Sequence, residues 1–62
     1  MTFIEFYNYD AKYETVRVDQ IESVVKPGSS VHDYGAVVLL GGRRIAFGQA
    51  GEAERMLNAL QK

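Results

Sequence analysis

The fold is decided by one stretch of the chain, Ala36-Val37-Val38-Leu39-Leu40-Gly41-Gly42-Arg43-Arg44-Ile45-Ala46-Phe47. An apolar run of strand length ends at two glycines, and a second strand-forming run follows them. Double glycine suits a two-residue type I′ turn, because both central residues of that turn need positive φ. The stretch therefore predicts a β-hairpin. Since residues 36–40 do not alternate between apolar and polar, we expect both faces of this strand to be covered.

After this hairpin the apolar period changes from that of a strand to that of a helix. The apolar positions are Ala50, Ala53, Met56, Leu57 and Leu60, and polar residues occupy most of the others. This spacing predicts an amphipathic helix over residues 50–62, with Met56, Leu57 and Leu60 in the core. Glutamates early in the helix and Lys62 at its end complement the helix dipole. A helix this short is marginal alone, so we expect it to dock on a sheet.

Before the hairpin, the sequence predicts three further strands. Residues 2–9 and 13–18 alternate with period two, and a polar break of hairpin length separates them. Residues 21–25 form a short third strand with polar positions typical of an edge. Residues 26–35 contain Pro27 followed by Gly28, and we expect an exposed loop there.

These elements predict an α+β fold: a four- to five-stranded antiparallel β-meander with one C-terminal α-helix packed on one face. The 62 residues leave room for a single small domain, residues 1–62. The chain has no cysteine and one histidine, so disulfides and thiolate zinc sites cannot reinforce it. Oligomerisation is the remaining reinforcement for so small a core.

Composition argues against several function classes. Seven Lys and Arg against eight Asp and Glu give a net charge of −1, which supplies no strong field for nucleic acid or anionic lipid. The first residues lack the basic flank and long apolar run of a signal peptide, and no stretch approaches the roughly 20 apolar residues of a membrane span. We therefore expect a cytoplasmic protein that does not bind a membrane.

Two short motifs suggest chemistry, and each has a simpler interpretation. His32 beside Asp33 resembles a histidine with an orienting carboxylate, but both lie in the polar loop. Two glycines followed by Arg43 and Arg44 suggest an anion site, but glycines between strands more often form a turn. Strand alternation also sends the two arginines to opposite faces. We expect no catalytic residue, no metal site and no cofactor, and thus no enzyme.

The residues most suited to bind a partner are aromatic, basic and apolar side chains of the strands. The candidate interface residues are Phe3, Tyr7, Tyr9, Tyr13, Arg17, Val38, Leu40 and Arg43. Tyrosine is enriched at protein interfaces because its ring packs while its hydroxyl stays hydrated. The alternative is an aromatic and basic sheet face that stacks single-stranded bases, using Tyr7, Tyr9, Arg17 and either Arg43 or Arg44.

Two segments carry a family resemblance. Val18-Asp19-Gln20-Ile21-Glu22-Ser23-Val24 and Val37-Val38-Leu39-Leu40-Gly41-Gly42-Arg43-Arg44-Ile45 precede a short helix. In this order the chain resembles the small flagellar-associated FlbD-like proteins, which share this third strand, a strand-glycine-basic-strand hairpin and a helical tail. The resemblance implies the same fold and an accessory or binding role without catalytic residues. Small RNA-binding regulators of the carbon-storage type are similar in architecture alone, which suggests a strand-exchanged dimer.

The leading hypothesis is a small non-enzymatic protein-binding or accessory module that forms a homodimer. It is motivated by the short chain, the unalternating strand over residues 36–40 and the aromatic first strand. The alternatives are a nucleic-acid-binding regulator with an aromatic and arginine sheet face, and a phage-type inhibitor of a host protein. Salt dependence of nucleic-acid binding separates the first alternative from the leading hypothesis.

Overall fold

The computed structural model describes residues 2–61. Its elements are β1 (Phe3–Tyr7), β2 (Tyr13–Arg17), a 3₁₀ helix (Val18–Gln20), β3 (Ile21–Val25), β4 (Ala36–Leu39), β5 (Arg44–Ala46) and α1 (Glu52–Leu60). The expected strands are thus all present: β3 has its predicted bounds, and the other strands are one or two residues shorter at one or both ends. The expected contribution of Lys62 to the end of the helix falls outside the described residues.

The predicted fold class is confirmed: five antiparallel strands are followed by one C-terminal helix that packs against the sheet. The strands divide between two sheets, β1-β2 and β3-β4-β5. A single bridge between Asn8 and Phe47 joins them. On either side of it the Tyr9 N–H donates to the Ala46 carbonyl at 3.0 Å, and the Gly48 N–H donates to the Tyr7 carbonyl at 2.9 Å.

Gly48 is required at this junction because the two chain segments approach very closely. A Cβ atom there would lie 2.0 Å from the carbonyl oxygen of Asn8 and 2.8 Å from the ring of Tyr7. Only glycine permits such an approach of one backbone to another. The two sheets therefore meet where the sequence changes from strand to helix periodicity.

The turn between β4 and β5 is longer than the sequence predicts. The Leu39 N–H donates to the Arg43 carbonyl at 2.8 Å, and the Gly42 N–H donates to the Leu39 carbonyl at 3.0 Å. The turn therefore contains Leu40, Gly41 and Gly42. Both glycines have positive φ, 95° and 91°, as predicted. The hairpin is confirmed, and the two-residue turn is wrong.

A contact with the neighbouring strand explains this longer turn. The Leu40 N–H donates to the Gln20 carbonyl, just before β3, at 2.8 Å. It is therefore not available to close a two-residue loop with β5. As a result β4 ends at Leu39, and Leu40 is 53% exposed. The expectation that both faces of this segment are covered holds for Ala36 and Val37, which are fully buried, and fails for Leu40.

The core lies between the two sheets and the helix. Its buried members are Phe6, Val37, Phe47, Ala53 and Met56. The rings of Phe6 and Phe47 meet edge to face, with centroids 5.4 Å apart and an interplanar angle of 87°. Half-buried side chains from both sheets pack around this cluster. Each sheet and the helix thus contributes at least one fully buried side chain to a single core.

The helix contributes less apolar surface than its sequence stripe predicts. It begins at Glu52, because Gly51 has a φ of 88° that α-helical geometry does not allow. Met56 is fully buried, whereas Leu57 and Leu60 are only half-buried. Leu57 borders an open cleft against Lys26 and Pro27 instead of packing under the sheet. The prediction that both leucines belong to the core is therefore wrong.

Met56→Ala should cost about 2 to 5 kcal/mol of unfolding free energy, because it leaves a cavity at the centre of the core. Leu60→Ala should cost clearly less, because Leu60 is only half-buried. Urea unfolding followed by circular dichroism measures both. Equal losses in the two variants would contradict this assignment of the core.

Candidate functional site

The largest exposed side chains of β1 and β2 lie on one face of their hairpin. The register pairs Phe3 with Arg17, Glu5 with Thr15 and Tyr7 with Tyr13. Side chains directly opposite each other share a face of a sheet. We call this set of six residues the hairpin outer face. Ile4, Phe6 and Val16 alternate with them and pack in or against the core.

Aromatic rings at the two ends of the hairpin outer face are open to solvent. Phe3 is 56% exposed at one end, and Tyr13 is 65% exposed at the other. The Tyr13 ring lies edge to face against Tyr7, with centroids 5.2 Å apart. Aromatic side chains are enriched at protein interfaces relative to the rest of the protein surface. The arrangement is suited to a protein contact.

Three arginines near the hairpin are each paired with a carboxylate. A carboxylate lies within 4.0 Å of three arginines: Asp19 beside Arg17 at 2.7 Å, Glu14 beside Arg43 at 3.7 Å, and Glu52 beside Arg55 at 3.0 Å. To bind these arginines, the phosphates of a nucleic acid would have to displace the carboxylates or lie close to their negative charge. The hairpin outer face therefore offers aromatic rings in a charge-balanced setting.

The structure brings Phe3, Tyr7, Tyr13 and Arg17 together and separates them from the other candidate interface residues. The remaining four, Tyr9, Val38, Leu40 and Arg43, lie outside the hairpin outer face. Because Tyr9 follows the bridge between the sheets, it no longer continues the alternation of β1. The sequence pattern of residues 2–9 could not reveal this change.

Each of the separated residues has its own setting. Tyr9 lines a shallow cavity of about 320 Å³ together with His32, Tyr34 and Arg44. Val38 is half-buried on β4, where it pairs with Arg44. Leu40 lies in the turn between β4 and β5. Arg43 lies beside Glu14, with 3.7 Å between a guanidinium nitrogen and a carboxylate oxygen. No continuous surface therefore includes all eight candidate residues.

His32 and Asp33 do not form a catalytic pair in this structure. The two carboxylate oxygens of Asp33 accept from the backbone N–H groups of Gly28, at 2.9 Å, and Gly35, at 3.0 Å. The backbone N–H of His32 is 3.4 Å from the hydroxyl of Ser30. Asp33 thus holds the ends of its own loop together, as aspartate often does in turns. Among residues 2–61, no three His, Cys, Asp or Glu side chains are grouped to hold a metal ion.

The sequence did not reveal a polar contact between the start of the helix and the free edge of β1. Glu52 is 5% exposed, and its carboxylate accepts from the Tyr7 N–H at 2.7 Å. Arg55 donates to the same carboxylate through Nε and a terminal nitrogen, both at 3.0 Å. That terminal nitrogen also donates to the Glu5 carbonyl. We call Glu52 and Arg55 the edge clamp.

The edge clamp exists because of the hydrogen-bond alternation of β1. The Asn8 N–H donates to the Lys12 carbonyl, which places the backbone groups of Tyr7 on the side away from β2. A buried N–H there needs a partner. Glu52 supplies it where no further strand is paired. From the sequence alone, an acidic residue in the first turn of a helix indicates only a favourable interaction with the helix dipole.

The hydrogen bonds from Arg55 lower the pKa of Glu52, and the Tyr7 N–H acts in the same direction. Burial of the carboxyl opposes this effect. The pKa of Arg55 is raised by the same pairing. Both side chains therefore remain charged in the folded protein at neutral pH.

No helix within residues 2–61 has the length and apolar character needed to cross a membrane. Comparison of the chain with protein-family models, with curated proteins and with solved structures finds no match.

Glu52→Gln should lower the unfolding free energy at pH 7 by about 1 to 3 kcal/mol, because the charged acceptor of the edge clamp is lost. The folded-state pKa of Glu52 lies below its ordinary value of 4.5, so its ionisation stabilises the fold above that pH. This stabilisation is lost as the pH falls through the folded-state pKa. The difference between the two proteins should therefore shrink on acidification.

Urea unfolding at pH 7 and at pH 3 measures this difference. Glu54→Gln is the matched control, since Glu54 lies on the same helix but is exposed. It should change stability by less than about 0.5 kcal/mol. A Glu52→Gln effect that is unchanged at pH 3 would show that the carboxylate charge is not its cause.

Proposed function

We propose that this chain is a non-enzymatic protein-binding or accessory module that binds its protein partner through the hairpin outer face, and that it forms a homodimer. The observation that carries the proposal is the exposure of Phe3 and Tyr13 at the two ends of that face. These rings lie on a regular two-stranded sheet whose other face fills the core. The aromatic side chains are therefore displayed by a rigid scaffold.

Burial of these rings would supply much of the energy of a contact. An aromatic side chain buries about 150 to 250 Å² when it is fully covered, at roughly 25 cal/mol per Å² of apolar surface. Tyrosine and arginine are also enriched in the residues that dominate protein interfaces. Phe3, Tyr7, Tyr13 and Arg17 supply this composition within one hairpin.

The small core supports the homodimer in particular. Five fully buried or nearly buried apolar side chains form the central cluster. A domain of this size buries only about 60% of the surface of its unfolded chain, so association adds burial that the monomer lacks. A second copy is also the partner that is always available to the chain.

Charge favours the protein-binding role over the nucleic-acid alternative. The net charge is −1, and the arginine of the hairpin outer face is paired with Asp19. Nucleic-acid binding draws most of its affinity from unneutralised Lys and Arg. The resemblance to FlbD-like accessory proteins supports the same role. The absence of cysteine supports our further proposal that the chain acts in the cytoplasm.

Light scattering over a concentration series tests the proposal. The wild-type mass should rise toward that of two chains as concentration increases. The double variant Tyr13→Ser, Arg17→Ser should require at least a tenfold higher concentration, which corresponds to about 1.4 kcal/mol of association free energy. The reason is that both side chains lie on β2 and their contacts with the second copy are lost.

Val31→Ser is the matched control, because Val31 is an exposed apolar residue in the loop before β4, at 80% exposure. It should leave the association unchanged. A wild-type mass of one chain at every concentration would refute the homodimer.

A further inference from the structure

β2 has an open edge in the folded chain. In the part of the chain that the structure describes, β2 pairs with β1 and with no other strand. Tyr13, Thr15 and Arg17 occupy the register positions whose backbone groups point away from β1, since the flanking Asn8 N–H and Val18 N–H are the groups that bond across the hairpin. Within residues 2–61, no hydrogen bond to the N–H groups of Tyr13 and Thr15 or to their carbonyls comes from this side.

The other edges of the two sheets are occupied or irregular. On the edge of β5, the Ala46 carbonyl accepts from the Tyr9 N–H at 3.0 Å. The edge of β1 is bound by Glu52, Arg55 and the Gly48 N–H. β3 has a register shift between Ile21 and Ser23 and packs beside the helix. Bulges and covering elements are the devices that keep an edge from pairing with another chain. β2 has neither, and its register to β1 is regular over its whole length.

Of the other common protections, β2 carries only charge, at Glu14 and Arg17. Tyr13-Glu14-Thr15-Val16-Arg17 contains no proline, no glycine and no lysine. Its side chains are those that favour strand pairing, namely an aromatic residue and β-branched residues. An exposed and regular edge of this composition can pair with a further strand.

We propose that the second copy pairs with β2 along this edge, antiparallel and about a twofold axis at Thr15, and this rests on the homodimer proposed above. Each Thr15 then donates its N–H to the carbonyl of the other, and each Arg17 N–H donates to the other copy's Tyr13 carbonyl. Both contacts occur twice, as an isologous interface requires.

Side-chain charge selects this register over its neighbours. A shift that centres the axis on Glu14 would place two glutamates directly opposite each other, which is destabilising. A shift to Val16 would remove Tyr13 from the paired region. The axis at Thr15 instead places Arg17 opposite Tyr13 in both directions, where a guanidinium and an aromatic ring attract.

The paired edges would extend the hairpin outer face across both copies. Phe3 is already opposite Arg17, and Tyr7 is opposite Tyr13. Joining the edges therefore produces a continuous row of Phe3 and Arg17 from one copy and Tyr13 and Tyr7 from the other, and the twofold axis generates the same row again. The dimer presents a four-stranded aromatic surface that neither hairpin has alone.

Single cysteines test this arrangement, since the natural chain has none. In Thr15→Cys the two Cα atoms would be about 5.5 Å apart, as in a hydrogen-bonded antiparallel pair, which a disulfide can span. Glu5→Cys is the matched control, because Glu5 is opposite Thr15 on the same face but on β1. In the edge-paired dimer its two copies would be three strand spacings, about 14 Å, apart.

Under mild oxidation Thr15→Cys should give at least tenfold more covalent dimer than Glu5→Cys on a non-reducing gel. The opposite ratio would show that the hairpins stack face to face, which overturns the edge pairing and leaves the homodimer intact. If neither variant is joined and the wild-type mass is that of one chain, the homodimer fails as well.

A proline variant gives a second measurement that needs no oxidation. Thr15→Pro removes an N–H that points away from β1, so the hairpin keeps its internal hydrogen bonds. With a wild-type circular dichroism spectrum, it should lose at least tenfold in association. Thr15→Val, which keeps the N–H, should associate as the wild type does. Unchanged association of a folded Thr15→Pro would overturn the edge pairing.

Discussion

The hydrogen bond from the Tyr7 N–H to the buried carboxylate of Glu52 is the contact on which the arrangement of the helix and the first sheet depends. It connects residues that are 45 positions apart in the chain. A buried carboxylate is costly unless its oxygens are bonded, and here Arg55 and the backbone of β1 bond both of them. The first turn of the helix is thereby fixed against β1, and Met56, one turn later, is directed into the core.

This contact also gives the molecule its asymmetry. The edge of β1 that meets the helix is bound by polar groups, and the inner face of the hairpin is buried by Phe47 and the helix. The outer face of the hairpin and the edge of β2 remain open. The stabilising contacts and the surface that we propose for partner binding therefore lie on opposite sides of the same two strands.

A small domain benefits when one side of a hairpin fills the core and the other side is free for association. Its core is limited by chain length, so a surface that also buries aromatic rings on association can supplement it. Phe3 and Tyr13 contribute little to the monomer, because more than half of each is exposed. They serve instead the proposed association, while the loop that contains His32 and Asp33 is organised by its own backbone contacts.

The sequence by itself determined the type and order of the elements, because period two and period 3.6 are local properties that a single chain shows. It also predicted the hairpin at Gly41 and Gly42 and placed Phe3 and Tyr7 among the candidate interface residues. Only the tertiary structure decided the three-residue turn, because the N–H of Leu40 donates to the carbonyl of Gln20, which is distant in the sequence. It likewise decided that Tyr9 leaves the hairpin outer face, and that Glu52 rather than Leu57 or Leu60 secures the helix. Each of these features depends on which backbone groups remain unpaired after the two sheets have packed together. A local sequence pattern contains no information about that pairing.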